Sequence, residues 1–234
     1  MHRTVNVLFY VSKPVFNLFE VEEFPHFDKS NSSFLRRNLL INQFEVVSAL
    51  DFPVKITALF HQFDISAEGL DELQRFEHLE IVFYEEGNQV QIIREILEDS
   101  AEAQDLIVAV NPLVMGLKPQ DYVEMVKQVE LEDETTFLIR SQNGYLSAVA
   151  FNYMELKQSD LLLNILNPYD KLLQHILMLN SRPITGGISG TVVKSTKDFK
   201  LLYEYLSAKE SIPACSFLMH DRFTELFVEY KELL

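Results

Sequence analysis

The chain is predicted to be an α/β protein, a single domain with a mixed, mainly parallel sheet covered by helices on both faces. Three observations predict it. Short apolar, β-rich runs alternate with segments of helical period from residue 5 to residue 131, the pattern of parallel strands joined by crossover helices. Asn143-Gly144 then interrupts the alternation, and this dipeptide is a strong hairpin signal that brings an antiparallel pair into the sheet. Hydrophobic residues make up 47% of the 234 positions and charged residues 24%. That supplies a sizeable core and is too little charge for a disordered chain.

The elements follow in order. Residues 5–11 read as the first strand, and residues 12–30, with Pro14 and Pro25, as irregular. Residues 31–50 place Phe34, Leu35, Leu39, Phe44 and Val47 near a helical period. Asn31-Ser32-Ser33 is formally a glycosylation sequon but is read as the cap of that helix. Pro53 breaks the chain before a second strand at 54–60. Ser66 is expected to cap a helix bearing Leu70, Leu73 and Phe76. A third strand at 79–84 precedes a helix at 88–101 with Ile92, Ile93, Ile96 and Leu97 inward. A fourth strand at 105–110 and an amphipathic helix at 119–131 complete the alternation.

Residues 135–140 and 145–151 form the expected hairpin, and a helix is expected at 169–179. "ITGGISGTVVKS" reads as a loop entering a strand, with Thr196 capping a helix at 196–208. The final segment sets Phe223, Leu226, Phe227, Tyr230, Leu233 and Leu234 on one helical face, an apolar stripe too rich for water. Residues 211–234 are therefore expected to be a helical extension, packed on a domain of residues 1–210 or at a homodimer interface.

Composition excludes several functions. With 20 basic and 35 acidic residues the net charge is −15, which argues against binding nucleic acid backbones or anionic membranes. Cys215 is the single cysteine, so neither an intrachain disulfide nor a multi-cysteine metal site can form. No apolar run approaches the ~20 residues of a membrane span, and the first residues lack a cleavage pattern. A cytoplasmic protein without membrane contact is expected.

Catalytic motifs are scarce. The six histidines show no metal-ligand spacing. Ser189 lies outside a GxSxG elbow, and the surrounding glycines lack the Lys of a phosphate loop. Gly186, Gly187 and Gly190 could offer backbone N–H groups to an anion, although such clusters usually mark turns. Glu22-Glu23, Glu85-Glu86 and the run from Glu132 to Glu134 read as solvated faces; Glu85-Glu86, at a strand end, is the best catalytic candidate among them. No cofactor motif is present.

Two segments carry a family resemblance. "DLIVAVNPLVMGLKPQDYVEMVKQV" resembles the strand–turn–helix of nucleotide-diphospho-sugar transferases with the glycosyltransferase A fold. It is similar to the bacterial glycosyltransferase-like family called domain of unknown function 2064. Where that family has a turn like "EDGGYYLIG", this chain has "SQNGYLSAVAF" and keeps Asn143-Gly144-Tyr145. Where the family has "D-T-x-x-D-L", this chain has "VVKSTKDFKLL", with Thr196, Asp198 and Phe199 in register. "SKPV" resembles the start of the family's "AKAPVPGKVKTRL", shifted by one residue and without its basic half.

The resemblance spans residues 5–208 and implies a Rossmann-like, three-layer glycosyltransferase A-type sandwich. It further implies a nucleotide or nucleotide-sugar ligand and a divalent metal held by carboxylates against a diphosphate. The chain departs from the pattern at three places. Asn111, with Leu113 two residues on, fills the strand-four acid position, Ser195 fills the later acid position, and the basic phosphate loop is missing. Loss of metal-dependent transfer is expected, leaving a binding or interaction module with no metal and no cofactor. The candidate ligand-binding residues are Lys13, Arg36, Arg37, Asn111, Asn143 and Ser195. The alternative is a metal-independent glycosyl- or nucleotidyltransferase in which Lys13, Arg36 or Arg37 faces the diphosphate.

Overall fold

The computed structural model describes residues 3–131, 135–152, 162–178 and 182–234. Its strands are β1 (Val5–Tyr10), β2 (Val54–His61), β3 (Leu79–Tyr84), β4 (Leu106–Val110), β5 (Val114–Met115), β6 (Thr135–Arg140), β7 (Leu146–Asn152), β8 (Arg182–Ile188) and β9 (Thr191–Val192). The helices are α1 (Lys29–Ser48), α2 (Gln89–Glu102), α3 (Pro119–Leu131), α4 (Tyr169–Met178), α5 (Thr196–Leu206) and α6 (Phe217–Glu229).

Strand β1 is buried at every position. Such a strand needs neighbours on both edges and cover on both faces. It pairs in parallel with β2 and β4, so that Val7 lies opposite both Ile56 and Val108. The large sheet has the order β3-β2-β1-β4-β7-β6-β8, and β5 and β9 form a separate two-stranded sheet. Strand β7 is antiparallel to both β4 and β6, whereas β8 is parallel to β6. The mixed, mainly parallel sheet is as the sequence predicts.

Alternation along β1 feeds two cores. Val7 and Phe9 face α1, α3, α5 and α6 through Leu39, Tyr122, Phe199 and Phe223. Leu8 faces α2 and α4 through Ile93, Leu97, Leu172 and Ile176. These are the three layers. The one polar residue inside β1 is satisfied: Asn6 Nδ2 donates to Ser100 Oγ at 2.9 Å, and its Oδ1 accepts from Thr57 Oγ1 at 2.9 Å.

Four local expectations are corrected. Asp28 caps α1, its Oδ1 accepting from Asn31 N at 2.7 Å. Asn31-Ser32-Ser33 is instead the first part of the helix, with Ser32 and Ser33 buried against the preceding loop. The segment after Ser66 is a short 3-10 turn, Leu70–Arg75, entered through Gly69 at φ +88° rather than capped by Ser66. Ser195, not Thr196, caps α5. Gly186 and Gly187 lie inside β8, where a Cβ on Gly186 would sit 2.5 Å from the Phe137 ring. Close cross-strand packing requires the glycine there, not an anion-binding loop.

The aromatic stripe of the last helix is spent inside the chain. Phe223, Leu226, Phe227 and Tyr230 are buried in the core on the α1 side, so α6 packs on the domain. Among the described residues, no helix is long and apolar enough to cross a membrane. The acidic run Glu132–Glu134 lies outside the described residues.

Candidate functional site

The carboxyl ends of β1 and β4 open on a cleft of about 410 Å³. Ligand clefts form at this edge of an open α/β sheet because the strands end there and the loops diverge. Residues 11–13 after β1 make one wall and residues 22–25 of the long β1–α1 loop another. Leu35, Arg36 and Leu40 of α1, Pro112 and Leu113 after β4, Leu166, and Val193 and Lys194 after β9 complete it. The walls mix apolar side chains with three cations, Lys13, Arg36 and Lys194, and two carboxylates, Glu22 and Glu23.

Arg36 is held. Its Nη2 lies 3.4 Å from Glu22 Oε2, and its side chain is 13% exposed. Burial lowers the Arg36 pKa from its ordinary value, and the Glu22 charge and hydrogen bond oppose that shift. Lys194 donates from Nζ to the Leu166 carbonyl at 3.0 Å, with the ammonium 4.9 Å above the Tyr145 ring. Desolvation lowers the Lys194 pKa, Asp198 and Glu22 raise it, and Arg36 lowers it further. Glu22 thus acts on both cations and already offsets part of their mutual repulsion.

Lys13 also lines a second hollow of about 270 Å³ with Tyr10, Ser12, His61, Phe63, Tyr84 and Glu86. Glu86, one of the acidic pair after β3, thus does reach a cleft. Tyr84 Oη donates to the Val11 carbonyl at 2.8 Å. Burial, then the neighbouring Tyr10, pushes the Tyr84 phenol far up, so it stays a donor and ties β3 to the end of β1.

The other candidates stand elsewhere. Asn111 is fully buried. Its Nδ2 donates to the carbonyls of Leu146 at 3.0 Å and Ile165 at 3.3 Å, and its Oδ1 accepts from Leu113 N at 3.1 Å. Asn143 Nδ2 donates to Val192 O at 2.6 Å and Asp198 Oδ1 at 2.8 Å, and its Oδ1 accepts from Ser141 Oγ at 2.8 Å and Val192 N at 3.2 Å. Ser195 Oγ donates to Asp198 Oδ2 at 2.8 Å while capping α5. Arg37 pairs with Glu72 at 3.6 Å and lies over the Phe16 ring, away from the cleft wall. Lys13 and Arg36 share the cleft, Asn143 and Ser195 meet at Asp198, and Arg37 and Asn111 stand apart from both pairs.

This corner does not fit a divalent metal. Its nearby carboxylate, Asp198, is 7% exposed and accepts from Asn143 Nδ2, Lys194 N and Ser195 Oγ. Asn111 has turned its N–H groups to carbonyls and its oxygen to an amide. A divalent cation needs free oxygen lone pairs, with at least one or two of them on carboxylates to offset its charge. Among the described residues, no group of three or more His, Cys, Asp or Glu converges as a metal site. Cys215 is buried, and that burial pushes its thiol up to about 12, so the thiolate a nucleophile needs is not formed near neutral pH.

Sequence reasoning missed Lys194, although it lies at the end of a short strand beside a helix cap. Glu22-Glu23, read as a solvated face, are exposed, and they also line the cleft, which a carboxylate pair in sequence gives no sign of.

No protein-family model matches the chain, and no curated protein matches it. Solved structures do. A protein from Desulfovibrio desulfuricans G20 assigned as a nucleotide-diphospho-sugar transferase superposes with a TM-score of 0.67 at 9% identity, covering 98% of this chain and 97% of that one. A 4-diphosphocytidyl-2C-methyl-D-erythritol synthase from Anaerococcus prevotii gives 0.56 at 10% identity, over 88% and 97%. A cytidylyltransferase from Leptospira borgpetersenii gives 0.51 at 11% identity, over 99% and 97%. At these identities the likeness is one of fold and does not single out the domain of unknown function 2064 family. The chain has the α/β fold seen in nucleotide-diphospho-sugar transferases and cytidylyltransferases.

Proposed function

We propose that the protein binds a phosphorylated small molecule of the nucleotide or nucleotide-sugar class in the β1–β4 cleft. In this reading it is a binding or interaction module without metal-dependent group transfer. The observation that carries it is the convergence of Lys13, Arg36 and Lys194 on one cleft, where they outnumber Glu22 and Glu23, beside a corner whose Asn111, Ser195 and Asp198 are consumed by internal hydrogen bonds. A chain of net charge −15 repels anions at long range, so an anionic ligand needs a local cluster of this kind. Ammonium and guanidinium groups make charge-assisted bonds to phosphate and can stand in for a cation. The nucleotide class is suggested by the structural neighbours, whose names are those of nucleotide-sugar and cytidylyl transferases.

The test is calorimetric titration with nucleoside diphosphates and nucleotide sugars, run with Mg²⁺ and again with EDTA. Saturable binding is expected, indifferent to EDTA and weakened about tenfold or more by Lys194→Ala, the scale of one charge-assisted hydrogen bond. Binding that requires Mg²⁺, or no binding of any of these ligands, would overturn the reading. EDTA-insensitive turnover of a nucleotide sugar would instead favour a metal-independent transferase, with the three cations stabilising the departing diphosphate.

A further inference from the structure

Asp64 is fully buried at the end of a 3-10 turn, Gln62–Asp64, that follows β2. Its carboxylate accepts three consecutive backbone N–H groups of the β1–α1 loop. Val15 N lies 3.0 Å from Oδ2, Phe16 N 2.8 Å from Oδ1 and Asn17 N 2.9 Å from Oδ1. Successive amides converging on one point form an anion cradle. In many α/β proteins such amides after the first strand are offered to a phosphate. Here they are already filled from inside the fold.

The loop is pinned further by Asn17 Nδ2 donating to Phe63 O at 2.8 Å and Ser33 Oγ donating to Val15 O at 2.6 Å. Asp64 itself does not line the cleft, but Lys13, Val15 and residues 22–25 on the same loop do.

We propose that Asp64 is an internal anion that occupies the backbone cradle of the β1–α1 loop and thereby positions the loop as the cleft wall. It leaves phosphate recognition to the side chains of Lys13, Arg36 and Lys194. Asp64 is a positioning residue, acting through the amides of residues 15–17. The positioning half rests on the binding reading given above; the cradle half does not. The proposal also narrows the ligand chemistry. A phosphate met by cationic side chains and not by backbone amides is recognised by its charge, so binding should weaken with salt.

The test pairs hydrogen exchange with titration of inorganic pyrophosphate, on the full chain and on Asp64→Ala. In the variant the three amides lose their acceptor. Their exchange should accelerate at least about tenfold, the change that loss of one hydrogen bond's worth of protection brings. Pyrophosphate affinity should fall by a similar factor. Sodium formate, a carboxylate small enough for the vacated space, should slow the exchange and restore affinity saturably in the variant and do neither in the parent protein. A general loss of packing would not respond to formate. Should Asp64→Ala not fold, Asp64→Asn keeps one oxygen for Phe16 N and Asn17 N but sets an NH2 group against Val15 N, so exchange should accelerate at Val15 and pyrophosphate affinity should fall.

Unchanged exchange at residues 15–17 would overturn the cradle. Faster exchange with unchanged pyrophosphate affinity would overturn the positioning role. If the parent protein does not bind pyrophosphate, the positioning half falls with the binding reading, while exchange and formate rescue still decide the cradle.

Discussion

The ring of Tyr230 lies flat on the ring of Phe27, with centroids 3.8 Å apart and planes 7° from parallel. Tyr230 follows α6, and Phe27 ends the long loop whose residues 22–25 wall the cleft. Asn31 Nδ2 donates to Tyr230 Oη at 2.9 Å, and Phe27 also meets Phe199 of α5 edge-on at 5.1 Å. The last helix therefore clamps the loop that shapes the site.

Replacing Tyr230 should loosen that clamp. Tyr230→Ala removes a buried ring, its stacking partner and a hydrogen bond, and about 2–4 kcal/mol of stability should go with it. Urea unfolding measures the loss. Deleting residues 220–234 should go further, uncovering Phe27 and Phe199 and lowering solubility. A deletion variant that stays soluble and unfolds at the parent's urea midpoint would contradict the clamp.

Acid should act on the same junction. Burial alone would raise the Glu72 carboxyl, but the hydrogen bond and charge of Arg222, joined by Arg37 and Arg75, hold it below its ordinary value. A carboxyl depressed on folding contributes stability above its unfolded pKa and loses it as pH falls through the folded one. The Arg222–Glu72 ion pair joining α6 to the turn before β3 should thus weaken on acidification. Melting temperatures recorded from about pH 7 down to about pH 3, across the carboxylate range, should fall more steeply for the parent than for Glu72→Gln. Parallel curves would show that the pair contributes nothing to acid sensitivity.

Asn111→Asp should not restore a metal site. The new carboxylate would lose both N–H donors to the Leu146 and Ile165 carbonyls and set a negative charge against those oxygens in a fully buried place. The expected cost is about 2–4 kcal/mol, seen by urea unfolding, with no heat of Mg²⁺ binding in calorimetry. A variant as stable as the parent that binds Mg²⁺ tightly would make this position an acid site and not a structural tie.

What could be read in the sequence was what local chemistry determines. The alternation of periods 2 and 3.6, broken by Asn143-Gly144, established the strands, the helices and the mixed sheet, because those periods decide which faces must leave water. The apolar stripe of the last helix was legible for the same reason. A pattern of faces does not name partners. Only the folded chain decided that the stripe closes on Phe27 and Phe199, that Gly186 makes room for Phe137, and that Asp64 holds the amides of residues 15–17. It likewise brought Lys194 beside Arg36 and turned Asn111 and Ser195 inward. These outcomes depend on contacts between segments far apart in the chain. A buried polar side chain goes wherever tertiary packing leaves a donor or acceptor unpaired, and no spacing along the sequence records where that is.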